Sequence, residues 1–123
     1  MQNETAIMDI IVNGGDARSW CLKAVRSARN GQWRETDELL RKAEESLIKA
    51  HNVQTALIQA EVQGNNSEIT LLMVHAQDHL MNAITVKDLS LELIEECRKR
   101  IELEEKMTAG IKSGEKIKGV ISL

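Results

Sequence analysis

The stretch LLMVHAQDHLM, Leu71 to Met81, sets His75, Asp78 and His79 into an otherwise apolar helical run, in a chain that has three histidines in all. A buried polar group must find a hydrogen-bond partner or cost stability, so this cluster belongs at a partner surface or at a site of chemistry. Histidines at i and i+4 share a helix face and suit a divalent metal. A zinc hydrolase would add a glutamate as general base, but Ala76 and Gln77 occupy the inner positions and no third ligand follows. An imidazole that titrates near neutrality is also a nucleophile, able to accept a phosphoryl group and release it again. Such transfer needs positioning and hydrogen-bond donors more than covalent machinery, and the amides of Gln77 and Asn82 can orient a ring or hold an anion's oxygens. No glycine-rich phosphate loop or kinase-like pattern occurs, so the phosphoryl donor is something other than a bound nucleotide. Taken singly, the histidines have plainer readings: His79 as a core-edge ring bonded to a neighbour, His75 as a solvated imidazole beside Asp78.

Three helices must position this cluster. Ile7, Ile10, Gly14, Ala17, Cys21, Ala24 and Ala28 recur at spacings of three and four, which predicts a first helix from about Glu4 to Asn30. Its NGG at Asn13 to Gly15 costs helix propensity and invites a kink or a close helix contact. Asn30 and Gly31 supply a stop and a turn, and Trp33, Thr36, Leu40, Ala43, Leu47, Ala50, Gln54 and Leu57 line a second helix over about 32–62. QGNNSE is the strong turn cluster, with Ser67 as expected N-cap of a third helix whose inner stripe reads Leu72, Ala76, His79, Ala83, Val86, Ser90, Leu93 and Cys97. The pattern predicts an end near Met107 and two parts: a three-helix domain over 1–109 and a mobile tail over 110–123. Short connections between amphipathic helices make an all-α, antiparallel three-helix bundle. Leu71, His75, Asp78, Asn82 and Leu89 form a second stripe bordering the first, placed to face another subunit.

Composition agrees with long helices: proline is absent and the only aromatic residues besides histidine are two tryptophans. A net charge of −3 with interspersed acids and bases leaves no basic stripe for a phosphate backbone, so nucleic acid is not an expected partner. Apolar runs are too short to span a bilayer, and MQNET is unlike a signal peptide, so a cytoplasmic protein without direct membrane insertion is expected. Cys21 and Cys97 lack zinc-type spacing and read as reduced core residues.

VHAQDHLM closely resembles the active-site motif of the lactose/cellobiose-type IIA component of the bacterial phosphoenolpyruvate-dependent sugar phosphotransferase system. NGGDARS at Asn13 to Ser19 resembles that family's first-helix motif and AHNVQTALI at Ala50 to Ile58 its second, so the likeness covers about residues 4 to 103. Gly14 stands where alanine is expected and Asn82 where threonine is usual, and the chain runs about twenty residues past the usual end. The resemblance implies a cytoplasmic homotrimer that relays phosphate for a β-linked disaccharide. It makes His75 the acceptor of a phosphoryl group from the carrier HPr, to be passed to a cysteine of the cognate IIB component. It makes His79 an accessory histidine that donates to the phosphoryl oxygens, and gives Gln77 a part in orienting the site. Asp78 matches the family's metal ligand on the trimer axis, where three like carboxylates would repel one another without a cation. A hard dication with oxygen ligands, magnesium, suits that place. His51, in the second-helix motif, is read as structural. The rival from another class is a noncatalytic helical module whose histidines only hydrogen-bond across an oligomer seam.

Overall fold

The computed structural model describes residues 4–65 and 68–121. It contains three helices and, among the described residues, no strand: α1 (Glu4–Arg29), α2 (Trp33–Val62) and α3 (Leu71–Ile121). The short α1–α2 connection is closed at Gly31, whose φ of +70° suits a residue without Cβ and whose N–H donates to the Ala28 carbonyl at 3.0 Å. Gly64, at φ +90°, ends α2 in the same manner, donating to the Glu61 carbonyl at 3.0 Å. α3 is capped by Thr70, whose Oγ1 accepts from the Met73 N–H at 3.1 Å. Ser67, the cap expected from the sequence, lies outside the described residues.

α1 is the middle of the bundle, packed along both α2 and α3, while α2 and α3 touch each other only lightly. All seven residues of the predicted α1 stripe are buried, which follows from a helix gripped on two sides. One core cluster joins Ile7 and Ile10 to Ala50, Ala76 and Leu80; the other joins Ala24, Val25 and Ala28 to Leu39 and Ile94. Beside the second cluster Ser27 Oγ and Thr36 Oγ1 lie 2.6 Å apart in the buried α1–α2 corner. Each hydroxyl also reaches a carbonyl, of Ala24 at 2.8 Å and of Gln32 at 2.9 Å, so two protons serve three contacts. The distal end is tied across helices: the Arg98 guanidinium lies over Trp33 at 4.4 Å, and Arg100 donates to the Arg29 carbonyl at 2.7 Å. Cys21 and Cys97 are free; burial pushes the Cys21 thiol up, with Lys87 pulling against it.

Two expectations need correcting. Ala76, Ala83 and Ser90 of the predicted α3 stripe are buried, but Leu93 is 52% exposed, and Leu80 and Ile94 complete the inner face instead. α1 is the main selector of that face, because α3 packs chiefly against it, with Ala50 and Leu39 of α2 completing the clusters. The helical pattern also does not stop near Met107: α3 runs to Ile121. Each interior glycine costs about 1 kcal/mol against alanine. A helix already nucleated gains one hydrogen bond per added residue, and without proline nothing forbids its growth.

Candidate functional site

His75 and His79 stand on the second and third turns of α3, on rotamers that bring the two Nε2 atoms to 3.1 Å with the rings edge to face at a centroid distance of 4.5 Å. At that spacing one ring's N–H donates to the other's lone pair, so one Nε2 is protonated and the other is bare. His75 is exposed and His79 half-buried, which leaves the pair open to a macromolecular partner on one side and supported by the bundle on the other. The support comes from α1. Gly14 is buried against the α3 backbone, where a Cβ would lie 3.4 Å from the His79 carbonyl oxygen and 3.6 Å from the Leu80 nitrogen. The NGG that weakens α1 locally is thus the place where α1 closes on the helix that bears the histidines. Alanine would fit at this distance, so the glycine does not alter the site.

The structure separates the other expected residues from the pair within one subunit. Gln77 lies about 200° around the helix from His75. It accepts from Gln54 Nε2 of α2 at 2.5 Å, while its own Nε2 points to the Met73 sulfur at 3.9 Å. A thioether can only accept, which fixes the orientation of the Gln77 amide and makes it, within the subunit, a tie between α3 and α2. Gln54 was legible only as a polar letter in an apolar stripe; its partner, 23 residues away, was not. Asp78 is exposed on the outer side of α3, about 60° from His75, with half-exposed Val74 and Met81 beside it. Asn82 is exposed on the same side, and His51 stands exposed on α2 and is not part of the pair. Among the described residues no three His, Cys, Asp or Glu side chains gather closely enough to hold a metal ion. No helix among them is long and apolar enough to cross a membrane.

Comparison with known proteins puts this arrangement in context. The family described as the lactose/cellobiose-specific IIA subunit of the PTS system matches residues 5–98, a span containing the whole histidine cluster. The lichenan-specific phosphotransferase enzyme IIA component of Bacillus subtilis is 52% identical over 92 residues, covering 75% of this chain and 84% of that protein. Among solved structures, the PTS cellobiose-specific enzyme IIA from Bacillus anthracis superposes with a TM-score of 0.80 at 44% identity, over 83% of this chain and 94% of that one. The solution structures of the Escherichia coli IIA(chitobiose)–HPr complex give a TM-score of 0.68 at 34% identity, over 78% of this chain and 93% of that one.

Proposed function

This chain belongs to the lactose/cellobiose-specific IIA family of the sugar phosphotransferase system, and from that membership and its imidazole pair we propose that it is a cytoplasmic phosphocarrier working through His75. The observation that carries the reading is the 3.1 Å approach of His79 Nε2 to His75 Nε2 on an accessible helix face. Of the two tautomeric arrangements, the one with the proton on His79 leaves His75 Nε2 with a lone pair for attack on phosphorus. In the loading step a nitrogen–phosphorus bond forms at His75 as the nitrogen–phosphorus bond of the phosphohistidine on HPr breaks, the HPr imidazole taking the bonding pair. The His79 N–H then turns from the lost lone pair to a phosphoryl oxygen, a charge-assisted hydrogen bond worth more than the neutral one it replaces. In the unloading step a thiolate of the cognate IIB component attacks the same phosphorus and the His75 nitrogen leaves. HPr is supported as donor by the complex in which the Escherichia coli chitobiose component was solved. The sugar is a β-linked disaccharide; its identity belongs to the membrane component.

The working unit in this reading is a homotrimer. The outer side of α3 exposes Leu71, Val74, Met81 and Leu89, an apolar row opposite the core that a solitary subunit would leave in water. Asp78 interrupts this row, and a single exposed carboxylate does not hold an ion. Three copies meeting there would offer only oxygen donors, the chemistry of a hard dication such as magnesium, so the residue fits a structural metal only as a shared axial ligand. Such an ion would supply charge neutralisation and no part of the transfer. Gln77 is assigned an orienting role only across a subunit boundary, since its own subunit turns it toward α2.

Incubation with phosphoenolpyruvate, enzyme I and HPr tests the reading. A phosphoryl adduct lost in acid and stable in alkali is expected, as for a phosphoramidate, and onward transfer should need IIB but no ATP. An acid-stable adduct would point to a hydroxyl, and no adduct would leave a noncatalytic helical module.

A further inference from the structure

The imidazole pair has a second chemistry that phosphoryl transfer does not use. Its two Nε2 atoms stand 3.1 Å apart on successive turns of α3. An ion at the zinc–imidazole distance of about 2.0–2.1 Å from both would see them at an angle of roughly 100°, between the octahedral and tetrahedral ideals. The nitrogens of the hydrogen-bonded pair are therefore already spaced as two ligands of one metal ion. In the bonded pair one Nε2 carries a proton; moving that proton through solvent to the Nδ1 of its own ring bares both Nε2 lone pairs, and the ring stays neutral. Turning the rings about χ2, a broad two-fold torsion, then aims both lone pairs at one point.

Much of the ordering that a chelate requires is in place before any ion arrives. α3 fixes the i and i+4 spacing, and the rings already sit edge to face at a centroid distance of 4.5 Å. The backbone under His79 is braced by α1, where a Cβ on Gly14 would lie 3.4 Å from the His79 carbonyl oxygen. The ion displaces only a neutral hydrogen bond on an accessible face, whose net worth is modest. The donor set selects the class of ion. Two imidazole nitrogens suit zinc, nickel or copper(II), of which copper(II) binds most tightly, and do not suit magnesium, which takes oxygen ligands. Among the described residues no third His, Cys, Asp or Glu joins the two histidines, so water fills the remaining positions and the ion exchanges instead of being a resident part of the fold.

We propose that His75 and His79 form a two-histidine chelate for a late first-row dication such as zinc, and that this ion and the phosphoryl group exclude each other. Both need the His75 Nε2 lone pair. A bound ion occupies the electrons that would attack phosphorus, and a nitrogen–phosphorus bond withdraws them from the ion. The chelate stands on the geometry of the pair, and the exclusion rests on the phosphocarrier reading above. The exclusion makes late transition metals reversible inhibitors of the carrier, at a nitrogen site chemically distinct from an oxygen-lined axial place at Asp78.

Calorimetric titration of the full-length, unphosphorylated protein with zinc chloride tests the chelate. One zinc per chain is expected, against one per three chains for an axial ion, and excess magnesium should not displace it. His75→Ala and His79→Ala should each weaken zinc binding at least tenfold, because a single imidazole is no chelate, whereas His51→Ala and Cys97→Ser should bind as the parent does. Protein phosphorylated beforehand and freed of its donor should show the same loss of affinity. Zinc at ten times its dissociation constant should slow loading from purified phospho-HPr about tenfold, since only about one chain in ten is left free. Equal zinc affinity in the parent and His75→Ala overturns the chelate and leaves the phosphocarrier reading standing. Zinc bound at full strength by the phosphorylated protein overturns the exclusion. A protein that binds zinc through the pair yet accepts no phosphate removes the phosphocarrier reading and leaves the chelate.

Discussion

The two glycines of α1 have identical chemistry and neighbouring positions but different surroundings, which makes them a sensitive probe of how α1 seats the site. A Cβ on Gly14 would meet the His79 carbonyl oxygen at 3.4 Å and carbon at 3.5 Å, whereas a Cβ on Gly15 would meet nothing within 4 Å. Alanine at either position should stabilise the helix by about 0.5–1 kcal/mol through lost unfolded-state freedom, since both backbones already have ordinary helical angles. Valine separates them. Its γ-methyls reach about one bond length further, which at Gly15 enters open space and costs only β-branched propensity of a few tenths of a kcal/mol. At Gly14 they enter the α3 backbone, and prising the helices apart should cost about 1–3 kcal/mol, as overpacking does elsewhere. Gly14→Val should therefore fall about 2 kcal/mol below Gly15→Val, about thirtyfold in the folding equilibrium. Urea unfolding followed by circular dichroism, at several protein concentrations to separate association from folding, measures it. Equal stability of the two valine variants, or a loss above 1 kcal/mol in Gly14→Ala, would refute the close approach of α1 to the histidine turn.

His75→Ala should lose phosphoryl acceptance while circular dichroism and oligomeric state stay as in the parent, because the side chain is exposed; His79→Ala should accept phosphate more slowly, about 10- to 100-fold if it removes one charge-assisted hydrogen bond. Unchanged labelling of His75→Ala would move the acceptor elsewhere. Asp78→Leu should remain trimeric and become indifferent to chelator while the parent weakens, since removing like charges from an interface removes the need for a cation; identical chelator responses by sedimentation equilibrium would end the axial-metal reading. Iodoacetamide should alkylate Cys97 well before Cys21, because Cys21 is fully buried and its burial raises the thiol above its ordinary range, disfavouring the thiolate. Peptide mapping after partial labelling checks the order.

The sequence by itself determined three helices, their connections, seven of the nine buried residues of α1 and the placement of two histidines one turn apart. These are local matters: apolar spacing, glycine at positive φ and the geometry of i and i+4 need no distant partner to be read. What it left open lies in α3, whose apolar residues occupy nearly every side, so that periodicity names no unique inner face. Only packing against the other helices, chiefly α1, chose Leu80 and Ile94 over Leu93, and only the position of Gln54 on α2 gave Gln77 its partner. The same holds for the far end. A fading stripe looked like the end of a helix, yet propagation continued because hydrogen bonding along a helix depends on its preceding turn, whereas burial of a stripe depends on a neighbour that the sequence of one chain does not contain.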